Sequence, residues 1–305
     1  MSRTPVTVLT PNPAVDVTYR VAEQRTGRTQ RVLDVARRPG GKGVNVARVL
    51  QSVGAPARCV LPLGGAAGTW LAENLDVPAT VVPLAGQTRS TVTVVDGVQH
   101  PTMFGEPGPA VSTDEWAAVT DAVTRALTGT VGAFVVAGSL PPGTDPDLVG
   151  SWVRAARGPA VADVTGRALL TAAEAGAVCA PNTEELLEAT GAADAGSAAR
   201  ALLDRGAPLV VVSCGAQGLT SYAHDGEVHV PAVAGVSGNP TGAGDAATAG
   251  LVLALVRGLP TVEALRWAAA FGAAAVLRPT AGEVDREALA RFLPDLETPV
   301  DRSPA

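Results

Sequence analysis

The chain has 305 residues, of which 47% are hydrophobic and 17% charged, and a formal net charge of −6. That length suits one large α/β domain or two small ones with a substantial core, while the acidic balance argues against a sequence-independent nucleic-acid binder, which needs a basic face. Aromatics at 3% leave the packing to small aliphatic side chains, and 34 glycines and 24 prolines supply many turns.

The first stretch, MSRTPVTVLTPNPAVD, has no uninterrupted apolar run of the secretory kind. VTVLT at 6–10 reads as a short buried strand that runs into Asn12 and Asp16. Residues 14–38 and 89–103 alternate polar and apolar side chains at period two, with turn signals TG and DG. They predict a small accessory sheet, a lid over the mouth of a larger one. Between them, RRPGGKGVNVARVL leads into a helix over 44–53 and lacks the GxxxxGK[ST] phosphate loop, because Gly43 follows Lys42. Its glycines permit a close backbone approach to a ligand or simply make a flexible turn, and Asn45 can hydrogen-bond a polyol.

A helix follows over 112–129, with Ser112 and Glu115 as a capping box, Trp116, Val119, Val123 and Leu127 on one face, and Gly129 as the stop. Apolar strands are expected at 133–138, 160–163, 177–180 and 208–213, and helices at 145–156, 183–190, 194–205, 243–257 and 261–276. Strand and helix alternate, which implies right-handed crossovers and a Rossmann-like, mostly parallel sheet with helices on both faces. We expect one domain over 1–305, a disordered tail ETPVDRSPA and, with the longest apolar run (246–256) below the ~20 residues of a membrane span, a cytoplasmic protein. Cys59, Cys179 and Cys214 read as buried small hydrophobes rather than a disulfide framework, and His100, His224 and His229 lack metal-ligand spacing.

Ligands of such sheets bind beyond the carboxyl ends of the strands, and polar residues and glycines collect there. Strand 133–138 meets Gly138, Ser139 and LPPG; strand 160–163 ends at Asp163; strand 177–180 precedes PNTEEL, with Asn182 and Glu185; strand 208–213 precedes Gly215 and Gly218. PNTEEL is either a capped helix start or a group that holds Mg²⁺ through water near a nucleotide phosphate. The sharpest signal is TGAGD at 241–245, where successive amides of a helix N-terminus make an anion site. Asp245 either favours the helix dipole or accepts the proton of an attacking hydroxyl while the amides hold a moving phosphoryl group, for which an ordinary carboxyl pKa of about 3.9 suffices.

TPNPAVD, PGGKGVNVARVL, EPGP at 106–109, GSLPPG, PNTEEL and TGAGD occur in the order found in the ribokinase-like (PfkB) carbohydrate kinases, and FGAAAV at 271–276 also fits. The chain resembles most the branch containing 1-phosphofructokinase and tagatose-6-phosphate kinase. The resemblance implies an ATP-dependent kinase of a sugar phosphate, fructose 1-phosphate first and tagatose 6-phosphate second, with a kinase of an unphosphorylated sugar or polyol as the alternative. A non-catalytic binding protein of the same fold is the reading from another class.

By position, the resemblance makes Asp245 the base, with the Gly242–Ala243–Gly244 turn and the amides of Ala243, Gly244 and Asp245 as the anion hole. Asn12, Asp16, Gly41, Lys42 and Asn45 fall to the sugar, and Ser139, Arg89 and Arg31 to its existing phosphate. Asn182, Ser213, Gly215, Gly218 and Gly272 fall to the nucleotide, and Glu185 with Asn182 to Mg²⁺. The resemblance also implies a lid that often makes a dimer interface; whether this lid forms a homodimer, and whether a monovalent cation such as K⁺ assists, are left open. Four positions depart from the branch: Thr91 and Thr93 stand for its usual Asn and Lys, Ala180 for a lysine, and Pro240 for Thr or Ser.

Overall fold

The computed structural model describes residues 4–97, 101–128 and 132–294. The chain opens with β1 (Val6–Leu9), β2 (Ala14–Arg20), β3 (Asp34–Gly40), α1 (Lys42–Ser52), β4 (Ala57–Gly64), α2 (Gly65–Glu73) and β5 (Ala79–Leu84). Next come β6 (Arg89–Val95), β7 (Thr102–Gly105), α3 (Thr113–Leu127), β8 (Ala133–Ala137), α4 (Asp147–Ala155), β9 (Ala160–Asp163) and α5 (Arg167–Glu174). The remainder is β10 (Val178–Cys179), α6 (Thr183–Thr190), α7 (Ala195–Leu203), β11 (Val210–Ser213), β12 (Leu219–Ala223), β13 (Gly226–Val230), α8 (Ala243–Arg257), α9 (Thr261–Val276) and α10 (Arg286–Phe292).

Among the described residues, nine strands form one sheet in the order β13-β12-β11-β10-β9-β8-β1-β4-β5. It is parallel from β5 to β11, and β12 and β13 add an antiparallel edge. Successive residues of a strand point to opposite faces, and each face has its own core. Val8, Val135 and Val211 pack on one side with α1, α8 and α9. Leu9, Phe134, Val136 and Val212 pack on the other with α3 to α7. Both faces are therefore apolar and covered, as the continuous apolar runs predict. On α3, Trp116, Val119, Val123 and Leu127 are buried and the Ser112–Glu115 capping box forms.

A second sheet, in the order β3-β2-β6-β7, occupies the segments expected to form the lid. Its β2–β3 pair is antiparallel across a loop of residues 21–33, so TG is one turn inside a long connection rather than a two-residue hairpin. Four strands and three helices were not expected: β4, β5, β12, β13, α2, α5 and α10. Pro62 in β4 and Pro83 in β5 argue against strands on sequence alone, and α5 and α10 are only 8 and 7 residues long. Gly129, His100 and the tail ETPVDRSPA lie outside the described residues. Cys59 and Cys179 are buried, their thiols pushed up to about 12 by burial, whereas Cys214 is half-buried. Among the described residues no helix is long and apolar enough to cross a membrane.

Candidate active site

The carboxyl ends of β9, β10 and β11 and the N-terminus of α8 enclose a cavity of about 240 Å³ whose walls include Lys42, Asp163, Asn182, Glu185, Ser213 and Asp245. The polar residues that follow separate strands in sequence are brought together here, at one edge of the sheet. Lys42, the only lysine in the chain, reaches across from α1. Its Nζ donates to Asp163 Oδ1 at 2.7 Å and to Glu185 Oε1 at 3.0 Å. Burial works against the ammonium, but the two carboxylates outweigh it and hold Lys42 above its usual range. Sequence reasoning assigned no chemistry to Asp163; its signal was an acid that closes a buried strand.

Helix α8 begins at Gly242, whose φ of 82° is left-handed and whose Cβ, if added, would stand 2.7 Å from that of Ala281. Only glycine fits this turn without strain. The Ala243 amide is engaged by the Pro240 carbonyl at 3.1 Å, so the expectation that three consecutive amides stand open is corrected to those of Gly244 and Asp245. Asp245 is buried, and its Oδ2 accepts from Asn45 Nδ2 at 2.8 Å. Burial pushes the Asp245 carboxyl up to about 7, and the Asp163 charge adds to the rise, against the Asn45 hydrogen bond and the Lys42 charge. An ordinary carboxyl pKa would have sufficed for the chemistry read from sequence; burial in this dry site raises it instead.

Asn182 and Glu185 form a reciprocal capping box at the start of α6, with Asn182 Oδ1 accepting from the Glu185 amide at 2.8 Å and Glu185 Oε2 accepting from the Asn182 amide at 3.0 Å. The capped-helix reading of PNTEEL is thus realised, and the same carboxylate also faces the cavity. Gly215 and Gly218 lie in the short turn after β11. Gly272, on α9, packs within reach of the Ala243 carbonyl, where two helices approach closely.

A second cluster adjoins the first. Asn12 Nδ2 donates to Ser139 Oγ at 3.2 Å and to the Pro107 carbonyl at 3.0 Å, and its Oδ1 is buried without a partner among the described residues. Arg89 donates to the backbone carbonyls of Asn12 at 3.1 Å and Glu106 at 3.0 Å. Burial pushes the Asp16 carboxyl up to about 6 against the charges of Arg89, Arg48 and Arg38. Gly40 lies flat against the Asp16 carboxylate, where any side chain would collide, and Gly41 caps α1. Thr91 pairs with Asp16 in register and Thr93 with Thr18, so both departures on β6 share the Asp16 face of the small sheet. Arg31 is exposed in the 21–33 loop and bonds no residue of either cluster.

Residues 9–288 match the pfkB family carbohydrate kinase pattern, almost the whole described chain. The chain belongs to the pfkB family of carbohydrate kinases. As a pfkB kinase it is a phosphotransferase, and its family uses ATP. It is 34% identical to the ATP-dependent 6-phosphofructokinase isozyme 2 of Mycobacterium tuberculosis, over 94% of this chain and 88% of that one. Identity to the 1-phosphofructokinase of Haloferax volcanii is 33%, over 86% and 87%. Phosphofructokinase-2 of Escherichia coli, solved in complex with potassium, superposes with a TM-score of 0.88 at 27% identity, over 96% and 99%. The same enzyme has been solved with fructose-6-phosphate and as a tetrameric inhibited form.

Proposed function

We propose that this kinase transfers the γ-phosphoryl group of ATP to a free hydroxyl of a fructose monophosphate, with Asp245 as general base. The observation that carries this reading is the placement of Asp245. It is buried in the first turn of α8, aimed by Asn45, in one cavity with Lys42, Asp163 and Glu185. The acceptor hydroxyl gives its proton to the Asp245 carboxylate as its oxygen attacks the γ-phosphorus, and the bond from that phosphorus to the β–γ bridging oxygen breaks, so that ADP leaves. The open amides of Gly244 and Asp245 hold the charge on the moving phosphoryl oxygens. A carboxyl near pKa 7 is matched to proton acceptance near neutral pH.

Asp16, Asn45, Gly41 and Lys42 border the sugar in this reading. Asn12, Ser139 and Arg89 receive its existing phosphate, and Arg31 joins from the lid. Ser213, Gly215, Gly218 and Gly272 border the nucleotide. Glu185 and Asn182 fit Mg²⁺ through water rather than directly, because Lys42 and the two backbone amides of the capping box occupy their oxygens, and Mg²⁺ keeps several of its waters. Bound there, it would neutralise charge on the nucleotide phosphates. The potassium complex of the Escherichia coli enzyme supports a monovalent-cation requirement.

Fructose 6-phosphate joins the acceptors expected from sequence and moves ahead of fructose 1-phosphate, on the wider match to the Mycobacterium tuberculosis enzyme; both acceptors lead to the 1,6-bisphosphate. Tagatose 6-phosphate comes after them. Thr91 and Thr93, uncharged on the Asp16 face, favour the second reading, a kinase of an unphosphorylated sugar. ADP release measured across fructose 6-phosphate, fructose 1-phosphate, tagatose 6-phosphate, fructose and ribose decides between them. We expect kcat/KM to be highest for a fructose monophosphate, and no preference for phosphorylated acceptors would refute the first reading.

A further inference from the structure

Glu283, in the connection between α9 and α10, accepts four hydrogen bonds from two parts of the molecule. Arg38 Nη1 of β3 reaches its Oε1 at 2.8 Å, and Thr280 Oγ1 reaches the same oxygen at 2.9 Å. Arg278 donates to Oε2 through Nη2 at 3.0 Å and Nε at 3.2 Å. Both carboxylate oxygens are used, and the Arg38 and Glu283 side chains are each 31% exposed, so the pair is partly shielded from water. A simple surface pair is worth little; a carboxylate that gathers two arginines and a hydroxyl fixes geometry.

What it fixes is informative. Arg38 is the register partner of Asp16 on the small sheet, and the two share a face. On the other side, the loop shaped by Arg278 and Thr280 backs the start of α8. Ala281 packs on Gly242, and Gly282 packs on Asn45, the residue that aims Asp245. Asn239 stitches the same two loops together, its amide donating to the Val276 carbonyl and its Nδ2 to the Pro279 carbonyl, each at 2.9 Å. From Arg38 through Glu283 to Ala281 and Gly242, one chain of contacts joins the acceptor face of the small sheet to the back of the anion site.

We infer that Glu283 is a positioning residue for phosphoryl transfer: its bond to Arg38 holds the small sheet in register with the N-terminus of α8. This rests on the reading of Asp245 and α8 given above. Without the bond, the sheet and the α8 turn keep their own folds but lose their mutual alignment, and misplacement of reacting groups by about 1 Å is enough to slow a transfer step heavily.

The test uses the full-length kinase with Glu283→Gln, Arg38→Gln, the double variant and Arg38→Lys, measuring kcat, KM for ATP and thermal midpoint with the best acceptor of the panel. Each single Gln variant should lower kcat by about tenfold with KM for ATP unchanged. The double variant should be no slower than either single one, because each removes the charge-assisted form of the same bond, and Arg38→Lys, which can still reach Oε1, should keep most of the activity. Losses that multiply in the double variant, or kcat within about twofold of wild type in either folded single variant, would overturn the inference. If Glu283→Gln fails to fold, Arg38→Gln tests the same bond from the other side. Asp245→Asn, run beside them, separates the two claims: substantial turnover there refutes the Asp245 assignment, whereas the Glu283–Arg38 comparison stands or falls on its own coupling.

Discussion

At Asp245 a carboxyl that is pushed up to about 7 by burial should govern both activity, through the proposed role as base, and stability. As a base it must be ionised, so kcat/KM should rise with an apparent pKa near 7 and be lost as pH falls below it. For stability the folded state binds this proton more tightly than the unfolded chain, whose carboxyl titrates near 3.8. The contribution is therefore favourable at low pH and is lost as pH rises from about 4 to 7. Asp245→Asn keeps an acceptor for Asn45 and removes the buried charge, so its thermal midpoint should exceed that of wild type by a few degrees at pH 8 and match it at pH 4. At Gly242 a methyl group would meet Ala281 in a left-handed turn, so Gly242→Ala should cost roughly 1–3 kcal/mol in denaturant unfolding and lower turnover as well. Residue types at strand ends were legible in the sequence because the chemistry is local to each motif. The Lys42 contacts were not, since they bridge 121 and 143 positions of the chain; nor was the dryness that shifts Asp245, which only the assembled fold creates.

At the scale of elements, α6 shows one device serving two ends. The box between Asn182 and Glu185 caps the helix and leaves the Glu185 carboxylate against Lys42 in the cavity. Asn182→Ala should therefore cost about 1 kcal/mol of stability by urea unfolding, and it should also reduce kcat, which the loss of a remote cap would not do. Helix positions were largely readable: 183–190, 243–257 and 261–276 agree with α6, α8 and α9, because caps and apolar periodicity mark them. Strands β4 and β5 were hidden by Pro62 and Pro83. The tie between β3 and the loop before α10 was invisible as well, because Arg38 and Glu283 become partners only when sheet and helix layer are stacked.

For the whole molecule, the two edge strands of the small sheet and the residues beside them carry Leu33, Val35, Met103 and Phe104, exposed by 62%, 47%, 65% and 62%. Exposed apolar edges invite pairing with another chain, and we propose that this lid forms a homodimer that also brings Arg31 toward an acceptor site. Met103→Glu with Phe104→Glu should shift the sedimentation of the kinase to the monomer; an unchanged oligomer would place the interface elsewhere. The α/β layering was legible because both faces of the parallel strands are apolar, and the small sheet because its segments switch to period two.

In the proposed reaction Asp245 takes the proton of the acceptor hydroxyl. The most direct test is single-turnover phosphoryl transfer from ATP to fructose 6-phosphate by Asp245→Asn, with nucleotide affinity measured in parallel. The rate should fall by at least about 10²–10⁴-fold with nucleotide binding retained, whereas transfer at a near-normal rate would refute the assigned role of Asp245.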